Sequence, residues 1–320
     1  MMLVTLTQMN AFVLVARLGS VRAAASALGV SESAVSQALT ALRQDLGDQL
    51  ITRSQSGMTL TPGGARLLGT ASQIVVLGAE AHAAVRAAQG APEQLRIVAT
   101  ATFAEFVAAP LMEAFTRRFP GAVEVTTGVA PAGDHAVLIA NRLADVAFGP
   151  GVQGDSGLPI VSEPVFKYRL VGVASGQGPG SLRGAARQWR WLAGPSGADP
   201  GSSTARLLAR LGVPEGNIRV LPSQTAAWAA AADGAGVATA IEHLVAHQVR
   251  RGELALVDAA GLPSDETWHA TMLDRGHRGD ATAALRRFLS TPEAMQLIRS
   301  PAAGVPPSRF KPPVYVTIWS

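Results

Sequence analysis

Cysteine is absent from the 320 residues, which excludes disulfides, thiolate metal ligands and cysteine nucleophiles. Lysine is almost absent as well, since arginine supplies 25 of the 27 basic residues. Charged residues make up 16% and aromatic residues 5%, whereas hydrophobic residues make up 48%. This composition excludes a disordered or fibrous chain. The net charge of +4 permits nucleic-acid binding without arguing for it.

Long apolar runs are also missing. The most apolar stretches, near 74–77 and 226–241, are short or are interrupted by Glu80 or Asp233, and neither approaches the ~20 apolar residues of a membrane span. The first residues lack the basic segment of a secretory signal. We therefore expect a soluble protein that acts in the cytoplasm without contact to a membrane.

Sequence signatures of catalysis are missing too. The chain contains neither a G-x-S-x-G elbow nor H-E-x-x-H spacing among its six histidines, the patterns of serine hydrolases and zinc peptidases. His243 and His247 are four residues apart, but no further metal-ligating residue follows them closely. We therefore predict no enzyme activity, no cofactor and no metal site.

The length allows two or three domains, and the residue pattern divides the chain into four segments. Short helices and a hairpin are predicted for 1–61, followed by one long helix over 62–89. From 90 to 300, β-rich runs alternate with helical runs, as in an α/β domain. The segment 301–320 is rich in proline and ends in a strand-like pattern, which we expect to dock on its own domain or on a neighbouring subunit.

Two short helices joined by a glycine turn are predicted near the start of the chain. Ser20 precedes the helix over 21–28, Gly29 ends it, and Ser31 precedes a helix over 32–46, the order of a helix-turn-helix. One face of the second helix is aliphatic. The other carries short polar groups that suit base edges and phosphates, namely Glu32, Ser33, Ser36, Gln37 and Thr40. In the hairpin that follows, Arg53 is placed to reach phosphate or the minor groove.

The long helix carries apolar and small residues at alternating steps of four and three, which is a heptad seam for pairing with a second copy. The alternative is that the helix packs on its own domain. Pairing is favoured because residues 1–90 hold six arginines against four acidic residues, too little charge for one copy to bind DNA tightly. The predicted seam consists of Leu67, Ala71, Ile74, Gly78, Ala81 and Val85.

The run from 20 to 68 resembles the winged helix-turn-helix of LysR-type transcriptional regulators. The match depends on Ala24-Ala25, Leu28-Gly29-Val30, Ser36, Leu42, Leu46-Gly47, Leu50, Arg53 and Thr61-Pro62-Gly63-Gly64. This resemblance implies that the polar face of 32–46 lies at base edges or nearby phosphates, and that the long helix pairs antiparallel in a dimer. Two residues depart from the family pattern. Glu32 replaces an uncharged polar residue and either favours the helix N-terminus or accepts a hydrogen bond from cytosine, and Gln37 stands where arginine is frequent.

The segment 94–298 resembles the effector domain of the same family. The resemblance implies an α/β fold like that of a periplasmic binding protein, with two lobes and a cleft between them. One lobe holds about 94–168 and 271–298, and the other holds about 169–270. The chain crosses between them near 168–171 and 268–273.

Three loops of this domain precede predicted helices and are rich in hydroxyl groups. Effectors of α/β domains bind beyond the carboxyl ends of strands, where helix N-termini point, and such termini suit an anion such as a carboxylate. The alternative is that each loop is an ordinary helix cap. The predicted effector-binding residues are Thr100, Thr102, Ser196, Ser202, Ser203, Gln224 and Thr225.

Two functions from different classes follow from these patterns. The first is a sequence-specific transcriptional regulator that binds a pseudo-palindromic promoter site, responds to a small-molecule effector and forms homodimers that pair into a dimer of dimers, a homotetramer. The second is a solute-binding protein or a small-molecule enzyme with the same α/β halves. It leaves residues 1–89 without a role.

Overall fold

A computed structural model describes residues 4–54, 57–152, 159–177 and 185–300. The predicted docking of the tail at 301–320 lies outside these residues, as does the tip of the hairpin. The backbone of Arg53 belongs to the described part of the chain, whereas its side chain, for which a DNA contact is predicted, lies outside it.

The first domain is a winged helix-turn-helix. Ser20 Oγ accepts a hydrogen bond from the backbone of Ala23, and Gly29 ends the second helix with a φ of 66°, a left-handed value that glycine adopts without strain. Ser31 Oγ caps the third helix by accepting from Ala34. These caps confirm the predicted helix-turn-helix. From the start of the chain to the end of the long helix, the elements are α1 (Leu6–Leu18), α2 (Val21–Leu28), α3 (Glu32–Leu46), β1 (Ile51–Ser54), β2 (Gly57–Leu60) and α4 (Pro62–Ala88).

The start of α4 explains the Thr-Pro-Gly-Gly sequence. Asp48 accepts from the Thr61 hydroxyl at 2.8 Å and from the Leu50 backbone at 2.7 Å, which ties the hairpin to the helix. Leu50 itself has a φ of 60°. A Cβ on Gly63 would meet the Asp48 carboxylate, and a Cβ on Gly64 would lie 2.0 Å from the Leu50 carbonyl oxygen. A Cβ at position 64 would therefore collide with backbone, and one at position 63 would displace the Asp48 carboxylate from its two hydrogen bonds.

Gly64→Ala is expected to lower the free energy of unfolding by about 2 kcal/mol, because the new methyl group collides with backbone. Gly69 provides the matched control, since it lies in the same helix and nothing approaches a Cβ built there within 4 Å. Gly69→Ala is expected to stabilise by up to about 1 kcal/mol through helix propensity. Thermal unfolding of both variants measures the two changes in stability, which should have opposite signs. Equal changes would contradict the close packing of Gly64 against the Leu50 backbone.

Helix α4 packs on α1 of the same chain, which changes the predicted seam. Ala71 and Val75 are buried in the core of the first domain, and a Cβ on Gly78 would meet Leu6 of α1. Ala71 and Gly78 therefore pack within the chain, as does Leu67 of the predicted seam, which is partly buried against the same core. This is the alternative interpretation of the heptad pattern. A stripe about 80° away from Ala71 and Gly78 stays exposed, consisting of Ile74, Leu77, Ala81 and Val85.

The second domain is built around one sheet. Its strands are β3 (Glu93–Ala99), β4 (Val123–Val129), β5 (Val146–Gly149), β6 (Ile160–Ser175), β7 (Trp191–Ala193), β8 (Ile218–Val220), β9 (Val237–Ile241), β10 (Leu254–Val257) and β11 (Ser264–Leu273). Within the described residues these nine strands join in the order β4-β3-β5-β11-β6-β9-β7-β8, with β10 beside β6.

The helices cover this sheet. Helix α5 is composite, with α-helical turns at Ala101–Phe103 and Ala109–Thr116 on either side of a π-helical segment at Ala104–Ala108. The remaining helices are α6 (His135–Ala140), α7 (Ser203–Arg210), α8 (Gln224–Ala232), α9 (Glu242–Arg250), α10 (Asp280–Leu289) and α11 (Pro292–Arg299).

Two long antiparallel strands connect the lobes. Strands β6 and β11 pair from Ser264 with Leu170 to Leu273 with Ile160, so both pass through the predicted crossings and extend beyond them. Strand β5 pairs with β11 on one side, and β9 pairs with β6 on the other. This arrangement confirms the α/β fold with two lobes joined by crossing strands. No helix in the described part of the chain is long and apolar enough to span a bilayer.

Candidate functional site

Helix α3 presents the predicted polar face to solvent. Val35, Leu39 and Leu42 are buried in the core of the first domain. Their burial fixes the rotation of the helix, and the opposite face is exposed along its length. The exposed residues are Glu32, Ser33, Ser36, Gln37 and Thr40.

Hydrogen bonds hold part of this face in place and anchor the hairpin. Ser33 Oγ lies 2.8 Å from Ser31 Oγ, and the Thr40 hydroxyl donates to the Ser36 carbonyl at 2.8 Å. Arg43 reaches across to the hairpin, where it donates to the carbonyls of Gln49 and Ile51 at 2.8 and 3.1 Å. Arg43 thus sets the position of the wing relative to α3, a role that the polar pattern had not indicated.

The three predicted effector loops meet in one cleft between the lobes. Six of the seven predicted residues line it, namely Thr100, Thr102, Ser196, Ser202, Ser203 and Gln224. Tyr168 and Trp268, from the crossing strands, and Thr239 of β9 also line the cleft. The ring of Trp268 contacts those of Phe103 and Tyr168 at centroid distances of 5.1 and 4.7 Å.

The cleft is closed. Its volume is about 20 Å³, about what one buried water needs. Thr102 Oγ1 of one lobe lies 3.1 Å from Ser196 Oγ of the other. Tyr168 donates to Ser203 Oγ at 3.2 Å, and burial raises the pKa of this phenol, which keeps it neutral and able to donate.

The described lining residues carry hydroxyl, amide, aromatic and aliphatic groups but no charge. Thr239 Oγ1 is buried and has no hydrogen-bond partner among the residues that the structure describes, which is unusual for a buried polar group. The Thr100 side chain caps none of the N–H groups that begin α5. The Thr239 hydroxyl therefore has hydrogen-bonding capacity that the described residues do not use.

Thr225 differs from its prediction, because it does not line the cleft. Its backbone N–H and hydroxyl both donate to Glu105, at 2.9 and 2.6 Å. Gln224 donates its backbone N–H to the same carboxylate at 2.8 Å. The N-terminus of α8 is therefore already occupied by a carboxylate of the protein.

Several residues of the cleft escaped the sequence-based prediction. Tyr168 and Trp268 lie on strands whose pairing follows only from the fold. Thr239 had a local signal, because it interrupts a buried strand. Glu105, which lies outside the cleft lining, had one too, because it interrupts an apolar helix. Among the described residues, no group of three or more His, Asp or Glu side chains could hold a metal ion.

Two family sequence models match the two domains. Residues 6–65 match the bacterial regulatory helix-turn-helix protein of the lysR family. Residues 88–291 match the LysR substrate binding domain, which covers more than half of the chain.

Similar proteins agree with this match. The uncharacterised HTH-type transcriptional regulator Rv0377 of Mycobacterium tuberculosis is 35% identical over 322 residues, covering 99% of this chain and 100% of the relative. The HTH-type transcriptional regulator PtxR of Pseudomonas aeruginosa is 32% identical and covers 78% of this chain and 80% of its own.

Solved structures support the same fold. The Vibrio cholerae virulence activator AphB, at 18% identity, aligns over 89% of this chain and 98% of its own with a TM-score of 0.52. CbnR, a LysR family transcriptional regulator, aligns over the same shares at 20% identity with a TM-score of 0.50. Together the matches favour a regulator over the enzyme or solute-binding alternative. The chain belongs to the LysR-type family of transcriptional regulators.

Proposed function

We propose that this regulator binds a pseudo-palindromic promoter site as a homodimer, which pairs again into a dimer of dimers, and that it responds to a small-molecule effector in the cleft. The observation that carries the DNA-binding part is the exposed polar face of α3. Its hydroxyl and amide groups are short donors and acceptors that suit base edges in the major groove. With a net charge of only +2 in residues 1–90, one copy gains little affinity from phosphates, which favours a two-fold site read by two copies.

Replacing Ser36 and Gln37 by alanine is expected to weaken specific DNA binding at least tenfold, since each good base contact contributes about 1–3 kcal/mol of discrimination. Folding should be unchanged, because both side chains are exposed. Fluorescence anisotropy with operator DNA at fixed salt measures the affinity. Gln296→Ala, at an exposed position of α11, is the control. Equal affinities for all three proteins would show that this face does not read the operator.

The exposed stripe of α4 is the proposed dimer contact. Leu77 and Val85 are 63% and 58% exposed, and Ile74 is 39% exposed. Ala81 and Ala84 are exposed as well, and their small size permits close approach of a second helix. A stripe of this kind on one face is what an antiparallel pair of linker helices would bury.

Leu77→Glu is expected to dissociate the dimer, because it would place an unpaired charge in the dry contact. Operator affinity should fall with it. Analytical ultracentrifugation at micromolar concentration measures the change in mass. Gln73→Glu adds the same charge at a neighbouring exposed and polar position and should leave the dimer intact. A Leu77→Glu protein that still dimerises would rule out this stripe.

For the effector, we propose a small molecule with a carboxylate or a similar anionic group. Among the described residues, the cleft lining holds no acidic side chain that would repel it. The N-termini of α5 and α7 point to the same cavity, and such termini favour negative charge. Thr239 Oγ1 would supply a further hydrogen bond. Calorimetric titration with a panel of small carboxylates and matched amides tests this class, and binding of only the amides would contradict it.

A further inference from the structure

Each lobe of the effector domain places a carboxylate on backbone of the other lobe. Glu105, from the first lobe, accepts from Gln224 and Thr225 at the start of α8 in the second lobe, through three hydrogen bonds of 2.6 to 2.9 Å. Asp199, from the second lobe, accepts from the Ala132 backbone in the first lobe at 2.9 Å. The two contacts are reciprocal, and neither carboxylate lines the cavity.

The backbone around both carboxylates fits this arrangement. Glu105 lies in the π-helical segment Ala104–Ala108, and π-helical segments inside α-helices occur often at functional sites. Asp199 is held by a second bond, from the Gly201 backbone to its other oxygen at 3.0 Å. Hydrogen bonds to a charged acceptor are stronger than hydrogen bonds between neutral groups. The bonds to these two carboxylates are therefore suited to hold the two lobes together.

We propose that Glu105 and Asp199 form a latch that holds the two lobes closed while the cleft is empty. The inference rests on the proposed effector site. A cavity of about 20 Å³ admits no organic effector, so entry requires the lobes to separate. The hydrogen bonds of Glu105 and Asp199 span the lobes and must break or lengthen when that happens. The latch thereby sets the fraction of open molecules and, with it, the apparent affinity for the effector.

The alternative is that each carboxylate is only a local cap for the backbone it touches. Hydrogen exchange measured by mass spectrometry on the full chain, without effector or DNA, distinguishes the latch from two local caps. Glu105→Ala is expected to speed exchange about tenfold at Gln224 and Thr225 and also at Ala132, which Glu105 does not contact. Asp199→Asn should speed exchange at Ala132 and also at Gln224 and Thr225.

Glu113→Ala is the matched control, because Glu113 lies on the same helix as Glu105 and, within the described part of the chain, its carboxylate pairs with the exposed Arg117. It should leave exchange at both contacts unchanged. Glu105→Gln keeps the size of the side chain and serves if the alanine variant does not fold.

Faster exchange confined to the amides that each carboxylate touches would overturn the latch and leave two local caps. Because no ligand is used, that result would not bear on the effector site. Failure of every carboxylate to bind in the calorimetric titration would, in turn, leave the exchange result standing.

Discussion

Oxidation of a Thr102→Cys, Ser196→Cys variant is expected to raise the free energy of unfolding by about 4 kcal/mol. The two hydroxyl oxygens lie 3.1 Å apart and each is bonded to Cβ, a separation that brings the side chains within the reach of a disulfide. The bond would close a loop of 94 residues, and the entropy that a disulfide removes from the unfolded chain grows with the length of the loop that it closes. The native chain has no cysteine, so no other thiol competes.

Urea unfolding with and without reductant measures this gain. Each single-cysteine variant is the control and should respond to reductant by less than about 0.5 kcal/mol, the range of ordinary surface changes. A double variant that stays reduced under mild oxidant, or that is destabilised by oxidation, would show that the lobes are apart in solution. The oxidised variant should also fail to bind any effector that the native protein binds.

Acidification from pH 6.5 to pH 4 is expected to remove about 3 kcal/mol of stability through His135 alone. The ring is fully buried. Its Nε2 lies 3.3 Å from the Ala130 carbonyl oxygen, and its Nδ1 has no hydrogen-bond partner in the described ranges. Burial lowers the pKa of His135 to about 4. In this window the unfolded chain binds a proton that the folded chain does not, so stability is present above pH 6.5 and is lost as the pH falls.

Other titratable groups also contribute to the dependence of stability on pH. Burial lowers the pKa of His243 to about 4, which adds a loss of the same sign. Burial and the nearby Asp199 raise the pKa of Asp134, so its protonation favours the folded state and offsets part of the loss at the acid end.

Urea unfolding across this pH range, in the native protein and in His135→Asn, tests the assignment. In the variant, the free energy of unfolding should fall less between pH 6.5 and pH 4, by about the contribution of His135. His247, which is exposed on α9, supplies His247→Asn as the control. A His135→Asn profile parallel to that of the native protein would exclude the buried histidine as the cause.

Much of the first domain was predictable because its signals are local. Ser20, Ser31 and Thr61 cap helices within three residues of their positions, and a cap needs only the residues beside it. The aliphatic face of α3 followed from helical periodicity in the same way. Convergence of six effector residues on one cleft came from the family resemblance.

The remaining features depend on contacts that are distant in sequence. A heptad pattern cannot tell a partner helix from α1 of the same chain. It therefore groups Ala71 and Gly78, which pack within the chain, with the exposed Ile74 and Val85. Glu105 finds Gln224 and Thr225 about 120 residues away. Tyr168 and Trp268 meet in the cleft because β6 and β11 pair, which no local pattern indicates.

Nuclease footprinting on the DNA upstream of the gene tests the central claim most directly. Two protected half-sites with two-fold symmetry are expected, separated by about one helical turn or a multiple of it, as for other dimers with this motif. The Ser36→Ala, Gln37→Ala variant should lose protection at the concentration that protects with the native chain. Uniform protection without symmetry, or equal protection by the variant, would contradict a sequence-specific regulator that reads DNA with α3.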